Sequence, residues 1–298
     1  MGNWAEILEE IGVTASPFDL VRRKYLDNLF KLTGRNVIIY YSGWLQKPNS
    51  DGLELNDSDK TGFMNCIHHL DKKIGLDLIL HTPGGETAAT ESLVDYLKSV
   101  FGNDIRAFIP QLAMSAGTMV ACACKEIYMG KHSSLGPIDP QLQGIPAHGI
   151  VEEFKTAFEE MKIDPAKAYV WQPIINKYPP TFVGECDKAI KMSEQMVEEW
   201  LLSNMFSNID TAKAKATVSK IIKELADHAL TKSHSRHLSM ERCRQIGLKI
   251  IAFEDNPDLQ DAVLSVHHAC IHSLSSTAAF KIIENHLGKA FIQSAQIQ

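Results

Sequence analysis

Four short apolar runs along the first half of the chain, with helical patterns between them, constrain its fold more than any other feature. They are Asn36-Val37-Ile38-Ile39-Tyr40-Tyr41, Asp77-Leu78-Ile79-Leu80-His81, Ile105 to Ile109 and Glu126 to Met129, each of strand length and strand composition. Between them lie faces at helical spacing: Phe63, Ile67, Leu70 and Ile74 before the second run, and Leu93, Val94, Leu97, Val100 and Phe101 after it. Strands alternating with helices in this way predict an α/β sheet of mostly parallel order. Leu20, Tyr25, Leu26, Leu29 and Phe30 predict a helix within residues 1–35, stopped by Gly34, and the polar stretch from Leu45 to Lys60 predicts a loop.

The pattern changes after about residue 148. Long helical segments follow, including Glu152 to Met161 and Cys186 to Met205, with Tyr178-Pro179-Pro180 as the break between them. Leu248 to Phe253 predicts one returning strand, and the tail from Thr277 to Gln298 is amphipathic without a clear assignment. The expected organisation is an N-terminal helical segment (1–35), an α/β core (36–148), and a helical annex with a returning strand and a C-terminal tail (149–298).

Bulk properties narrow the function classes. A chain of 298 residues with 45% hydrophobic and 22% charged residues has the composition of a soluble globular protein with a large core. A net charge of −6 argues against nucleic acid as the main partner, since phosphate binding needs clustered basic charge. The six cysteines are scattered, and Cys122-Ala123-Cys124 lacks zinc-knuckle spacing, so free buried thiols in a reducing compartment are expected. No histidine pair has helical metal-site spacing with a carboxylate, and neither a metal nor another cofactor is expected. Met1-Gly2-Asn3-Trp4-Ala5-Glu6 has no signal-peptide pattern, Glu6 stands where myristoylation needs Ser or Thr, and no apolar run reaches membrane-spanning length. The expectation is a cytoplasmic chain without membrane insertion.

Two stretches carry chemistry. In Ala113-Met114-Ser115-Ala116-Gly117-Thr118 a serine stands where a strand gives way to a helix, and free N–H groups and the helix dipole there favour developing negative charge. About thirty residues earlier, His81-Thr82-Pro83-Gly84-Gly85-Glu86 repeats the layout, with a glycine pair that lets the backbone aim an N–H at a neighbour. Together they suit a nucleophile facing an oxyanion hole. Ser115 alone would read as an ordinary N-cap, and Ala113 in place of glycine disfavours the Gly-x-Ser-x-Gly elbow. Beyond the fourth strand, Lys131 to Pro140 forms a polar turn holding His132 and Asp139. Asp139 is either a turn former or a carboxylate that orients an imidazole, and Lys131 and His132 are alternative bases. His234, in the polar loop Thr231 to His237, is either a solvated surface histidine or a base reaching back to the sheet. Ser239 suits an N-cap.

Residues 77–141, with Leu80-His81-Thr82-Pro83-Gly84-Gly85, Met114-Ser115-Ala116-Gly117-Thr118 and the string His132-Ser133-Ser134-Leu135-Gly136-Pro137-Ile138-Asp139-Pro140-Gln141, closely resemble the Clp/crotonase-like serine peptidases. The nearest group is the serine dehydrogenase proteinase family, related to Clp peptidase and signal peptide peptidase A. The resemblance runs from about Arg22 through Leu248. It implies a Clp/crotonase-like fold with repeated β-β-α units and a serine endopeptidase with a triad in the order Ser115, Asp139, His234. It also implies an oxyanion hole from the Gly85 and Ala116 N–H groups, a polypeptide substrate, a homo-oligomer, and room for an unfoldase or regulatory partner. Signal peptide peptidase A relatives use a Ser-Lys dyad, for which Lys131 and Lys167 are the candidates. A crotonase-type acyl-CoA enzyme and a silent oligomeric scaffold complete the alternatives.

Overall fold

The computed structural model describes Ile7 and residues 17–226 and 236–295. The described chain opens with α1 (Pro17–Thr33), β1 (Asn36–Ser42), α2 (Asp57–Ile67), β2 (Leu76–His81), α3 (Thr87–Phe101) and β3 (Ile105–Ile109). It continues with β4 (Leu112–Ala113), α4 (Ala116–Cys122), β5 (Glu126–Met129), β6 (Ser134–Leu135), and the short pair β7 (Gln141–Leu142) and β8 (Ile145–Pro146). Four helices follow: α5 (Ala147–Ile163), α6 (Ala168–Ile175), α7 (Phe182–Trp200) and α8 (Thr211–Ala226). The C-terminal part holds β9 (Leu238–Ser239), α9 (Met240–Ile246), β10 (Ile250–Ala252), α10 (Pro257–Ser276), β11 (Ala279–Asn285) and β12 (Ala290–Ser294).

Among the described residues the central sheet has seven strands in the order β10-β5-β3-β2-β1-β11-β12. The first five are parallel, as expected, while β11 runs antiparallel to β1 and β12 antiparallel to β11. Val37 to Tyr41 are each 0% exposed because both faces of β1 are covered, which is why that run shows no polar alternation. Ile38, Tyr40, Leu78, Leu80 and Ala107 pack into a core shared with α2, α3 and α4. Val37, Ile39, Tyr41, Ile79 and Phe108 face the other way, onto α1 and α10. The result is a mixed α/β fold around one sheet. β4, β6 and β9 form a second, small sheet that an isolated bridge, Thr82 to Ala113, joins to the end of β2.

Three segments differ from the expectation. α2 begins at Asp57, inside the stretch read as loop, because Asn56 and Asp59 form a capping box: Asn56 accepts the Ser58 N–H and Asp59 accepts the Asn56 N–H. That helix ends at Ile67, and Ile74 lies instead in a short 3₁₀ turn (Lys72–Ile74) capped by Asp71. The tail is a hairpin in the central sheet, its strand pattern obscured by two buried charges, Lys281 and Glu284. The annex helices α5 and α7 share a small core of Ala147, Ile150, Phe182, Cys186 and Ile190, and no residue of α6 is fully buried. The six cysteines are buried free thiols, and desolvation pushes those of Cys66, Cys124 and Cys243 up to about 12. Among the described residues no helix is long and apolar enough to cross a membrane.

Candidate active site

The ends of β2 and β4 meet at the carboxyl edge of the sheet, where open parallel sheets place their clefts. The Thr82 N–H donates to the Leu112 carbonyl at 3.1 Å and the Met114 N–H to the Thr82 carbonyl at 3.0 Å, so the two turns leave the sheet side by side. Gly84, at φ +117°, then brings the first turn onto the second: a Cβ there would stand 2.7 Å from Ser115 Cβ and 3.3 Å from its Oγ. Only glycine permits that approach.

Ser115 occupies the N-cap position of α4, yet its side chain makes no capping hydrogen bond. Its backbone lies at φ 48°, ψ −112°, a conformation that crowds any Cβ and costs on the order of 1–3 kcal/mol. The surroundings impose it. The Gly117 N–H donates to the Met114 carbonyl at 2.8 Å, the Met119 N–H to the Ser115 carbonyl at 3.0 Å, and Gly136 packs so closely that a Cβ would sit 3.1 Å from Ser115 N. Thr118 ties that neighbouring segment down, its hydroxyl bonding the Ala113 carbonyl and accepting the Gly136 N–H, both at 2.9 Å. A serine on a strained strand-to-helix turn, with its hydroxyl withheld from capping, has the layout of a nucleophile elbow.

Ser115 faces a cavity of about 280 Å³. Its described lining includes Gly85, Glu86 and Thr87, Ile138, Pro140 and Gln141, and Glu54. Gly85 forms a parallel bridge with Leu55, in which the Leu55 N–H donates to the Gly84 carbonyl at 2.8 Å and the Glu86 N–H to the Leu55 carbonyl at 2.9 Å. That pattern uses the groups on either side of Gly85 and turns the Gly85 N–H away from Leu55. Ala116 is the first residue of α4, where an N–H has no partner in the helix ladder. Glu54 and Glu86 are the charged residues among the described lining.

The remaining candidates fall in different places. Asp139 is 0% exposed, between the lining residues Ile138 and Pro140. The Ile138 N–H donates to the Leu225 carbonyl at 2.9 Å and Ser193 Oγ to the Ile138 carbonyl at 3.1 Å, so α7 and α8 hold this segment. His234 lies outside the described residues. Lys131 and His132 are exposed, with the Lys131 N–H donating to Glu254 at 2.9 Å and the His132 ring against Gly130. Lys167 pairs with Glu160 at 3.2 Å beside α5. None of these three is among the described residues that line the cavity. Ser239 caps α9 by accepting the Arg242 N–H at 3.3 Å, as its sequence context suggested. The reading from sequence missed the Glu54–Leu55 segment, whose one signal was the Asn56-x-x-Asp59 box beside it.

Comparison with known proteins shows the family. The family model described as ClpP-like SDH-type serine proteinase matches residues 41–258. An uncharacterized protein of Methanocaldococcus jannaschii is 29% identical over 198 residues, covering 66% of this chain and 59% of that protein. A second uncharacterized protein of the same organism is 37% identical over 100 residues, 34% of each chain. The chain thus spans less than two thirds of the length of either relative.

Proposed function

The chain belongs to the ClpP-like SDH-type serine proteinase family, and from that premise we propose that it is an endopeptidase with Ser115 as nucleophile. The observation that carries this reading is the strained Ser115 turn, its hydroxyl free of capping and set against Gly84 at the mouth of a cavity. Ser115 Oγ attacks a substrate carbonyl, and the oxyanion that forms accepts the N–H groups of Gly85 and Ala116. Removing one such donor typically costs 10²–10³-fold in rate, by order of magnitude. His234 takes the serine proton and returns it to the leaving amine, while Asp139 holds the imidazole in the tautomer that accepts.

Two facts support histidine over lysine as the base. A base near neutral pH must titrate there, which an ordinary histidine does and an exposed lysine does not. Lys131 is exposed, Lys167 is committed to an ion pair with Glu160, and neither is among the described residues that line the cavity. An acyl-CoA enzyme would need no serine held in this way.

The test is labelling with a fluorophosphonate, followed by mapping of the modified residue and by Ser115→Ala. The expected results are modification at Ser115 and loss of at least ~10³-fold in hydrolysis of an unfolded protein, with the circular dichroism and melting curve retained. Unchanged turnover in a folded Ser115→Ala protein ends the nucleophile assignment.

A further inference from the structure

The Glu54–Asn56 strap that pairs with the 84–86 turn is itself held from behind by a buried ion pair. Lys281, on β11, is 0% exposed, and its ammonium donates to both carboxylate oxygens of Asp59 and to the Glu54 carbonyl, each at 2.9 Å. Asp59, in the first turn of α2, also accepts the Tyr40 hydroxyl at 2.8 Å and the Asn56 N–H at 3.1 Å. The Tyr40 ring lies 5.7 Å from the ammonium. The Glu54 carbonyl and the Asn56 N–H are therefore tied to one ion pair, and Leu55 between them makes the two hydrogen bonds to Gly84 and Glu86. The fit is close on that side as well, since a Cβ at Gly85 would come within 2.2 Å of the Leu55 carbonyl oxygen.

As a source of stability this arrangement is poor, because desolvating two charges offsets most of their attraction and apolar side chains would fill the space as well. What charge-assisted bonds add is direction. Five hydrogen bonds converge on the Asp59 carboxylate and the Lys281 ammonium from β1, α2, β11 and the strap, and they fix the strap's height above the sheet.

We propose that Lys281 and Asp59 are positioning residues for the oxyanion turn, holding residues 54–56 in the register that points the Gly85 N–H into the Ser115 cavity. The proposal rests on the peptidase reading above.

Lys281→Met alone leaves the Asp59 charge buried without its counter-ion and threatens folding, so the test uses Lys281→Met/Asp59→Asn, which removes both charges together. Val263→Ala, a cavity in α10 on the opposite face of the sheet, serves as a control of comparable stability loss. Two quantities are read: hydrogen exchange at the Leu55 and Glu86 amides, and kcat with KM on a peptide substrate across pH. In the double variant the two amides exchange about 10- to 100-fold faster, and kcat falls about 10- to 100-fold while KM and the pH profile hold. Val263→Ala changes neither the local exchange nor kcat. A folded double variant with wild-type exchange at Leu55 and Glu86, or with wild-type kcat, overturns the proposal, as does an equal kcat loss in Val263→Ala. A wild-type chain that no fluorophosphonate modifies ends the peptidase reading, and the amide exchange then decides by itself whether the pair holds the strap.

Discussion

Ser115 and His81 show how single residues at this edge of the sheet are governed by their surroundings. The strain at Ser115 persists because Gly84 and Gly136 leave room for it and the helix hydrogen bonds of α4 begin directly beyond it. His81, immediately before the Thr82–Gly85 turn, is 0% exposed with its ring 4.4 Å from Trp44 and 5.3 Å from Tyr41. Burial pushes its pKa down to about 3, which the Leu112 carbonyl only partly offsets. His267, 5.4 Å away, is lowered too, by burial first and then by the charges of His81, His268 and His132. The folded state thus keeps these rings neutral where the unfolded chain, titrating near 6.5, takes up protons. Their contribution is fully present above pH 6.5 and is lost as pH falls toward 3, at about 1.4 kcal/mol per pH unit for each proton. The urea midpoint is therefore expected to drop steeply between about pH 6.5 and 4.5, and His81→Phe to flatten that drop. A His81→Phe midpoint that follows the wild type across this range refutes the assignment.

At the scale of elements, the C-terminal hairpin matters most, and its role was the least legible. β11 supplies Ile282 and Ile283, both 0% exposed, to opposite faces of the sheet. It also supplies Lys281 to Asp59, and Glu284 to Arg22 and Arg23 of α1. Ending the chain at Ser276 would expose one edge of β1 and leave Asp59 and Arg22, both buried, without their main partners. Breaking one buried pair costs about 3–5 kcal/mol, so losing two exceeds what a domain of ordinary stability can absorb. The truncated chain is expected to be insoluble or to unfold without a cooperative transition, and a sharp wild-type-like melt would contradict this. The parallel strands, by contrast, were readable because burial on both faces makes them mostly apolar, the charges Asp77 and Arg106 pairing with each other on adjacent strands. The start of α2 was readable only in retrospect, since Asn56 and Asp59 sit among loop-forming residues and their cap depends on which backbone groups they reach.

For the whole molecule, the uneven distribution of exposed apolar surface stands out. Phe158, Ile163, Tyr169 and Val170 of the annex are 62%, 83%, 85% and 64% exposed, and no residue of α6 is fully buried. Large apolar side chains so exposed are covered when a chain self-associates. Sedimentation at micromolar concentration is expected to show species well above the 33.2 kDa of one chain, and Tyr169→Glu/Val170→Lys to shift the distribution toward the monomer. A single 33.2 kDa boundary for the wild type at all concentrations would count against assembly through the annex.

The parallel strands, the helices between them, and the turn-to-helix setting of Ser115 and Gly84-Gly85 were legible in the residues alone. Each of these follows from local physics: strand periodicity, glycine conformations and helix starts depend on neighbours within a few residues. Long-range packing is what adds the tail to the sheet, lets Leu55 brace the Gly84–Glu86 turn, and brings Lys281 to Asp59 across more than two hundred residues of chain. Those contacts join segments whose own patterns are weak, and a buried charge looks in sequence like an exposed one. Its meaning lies in the partner that neutralises it, and the fold chooses that partner.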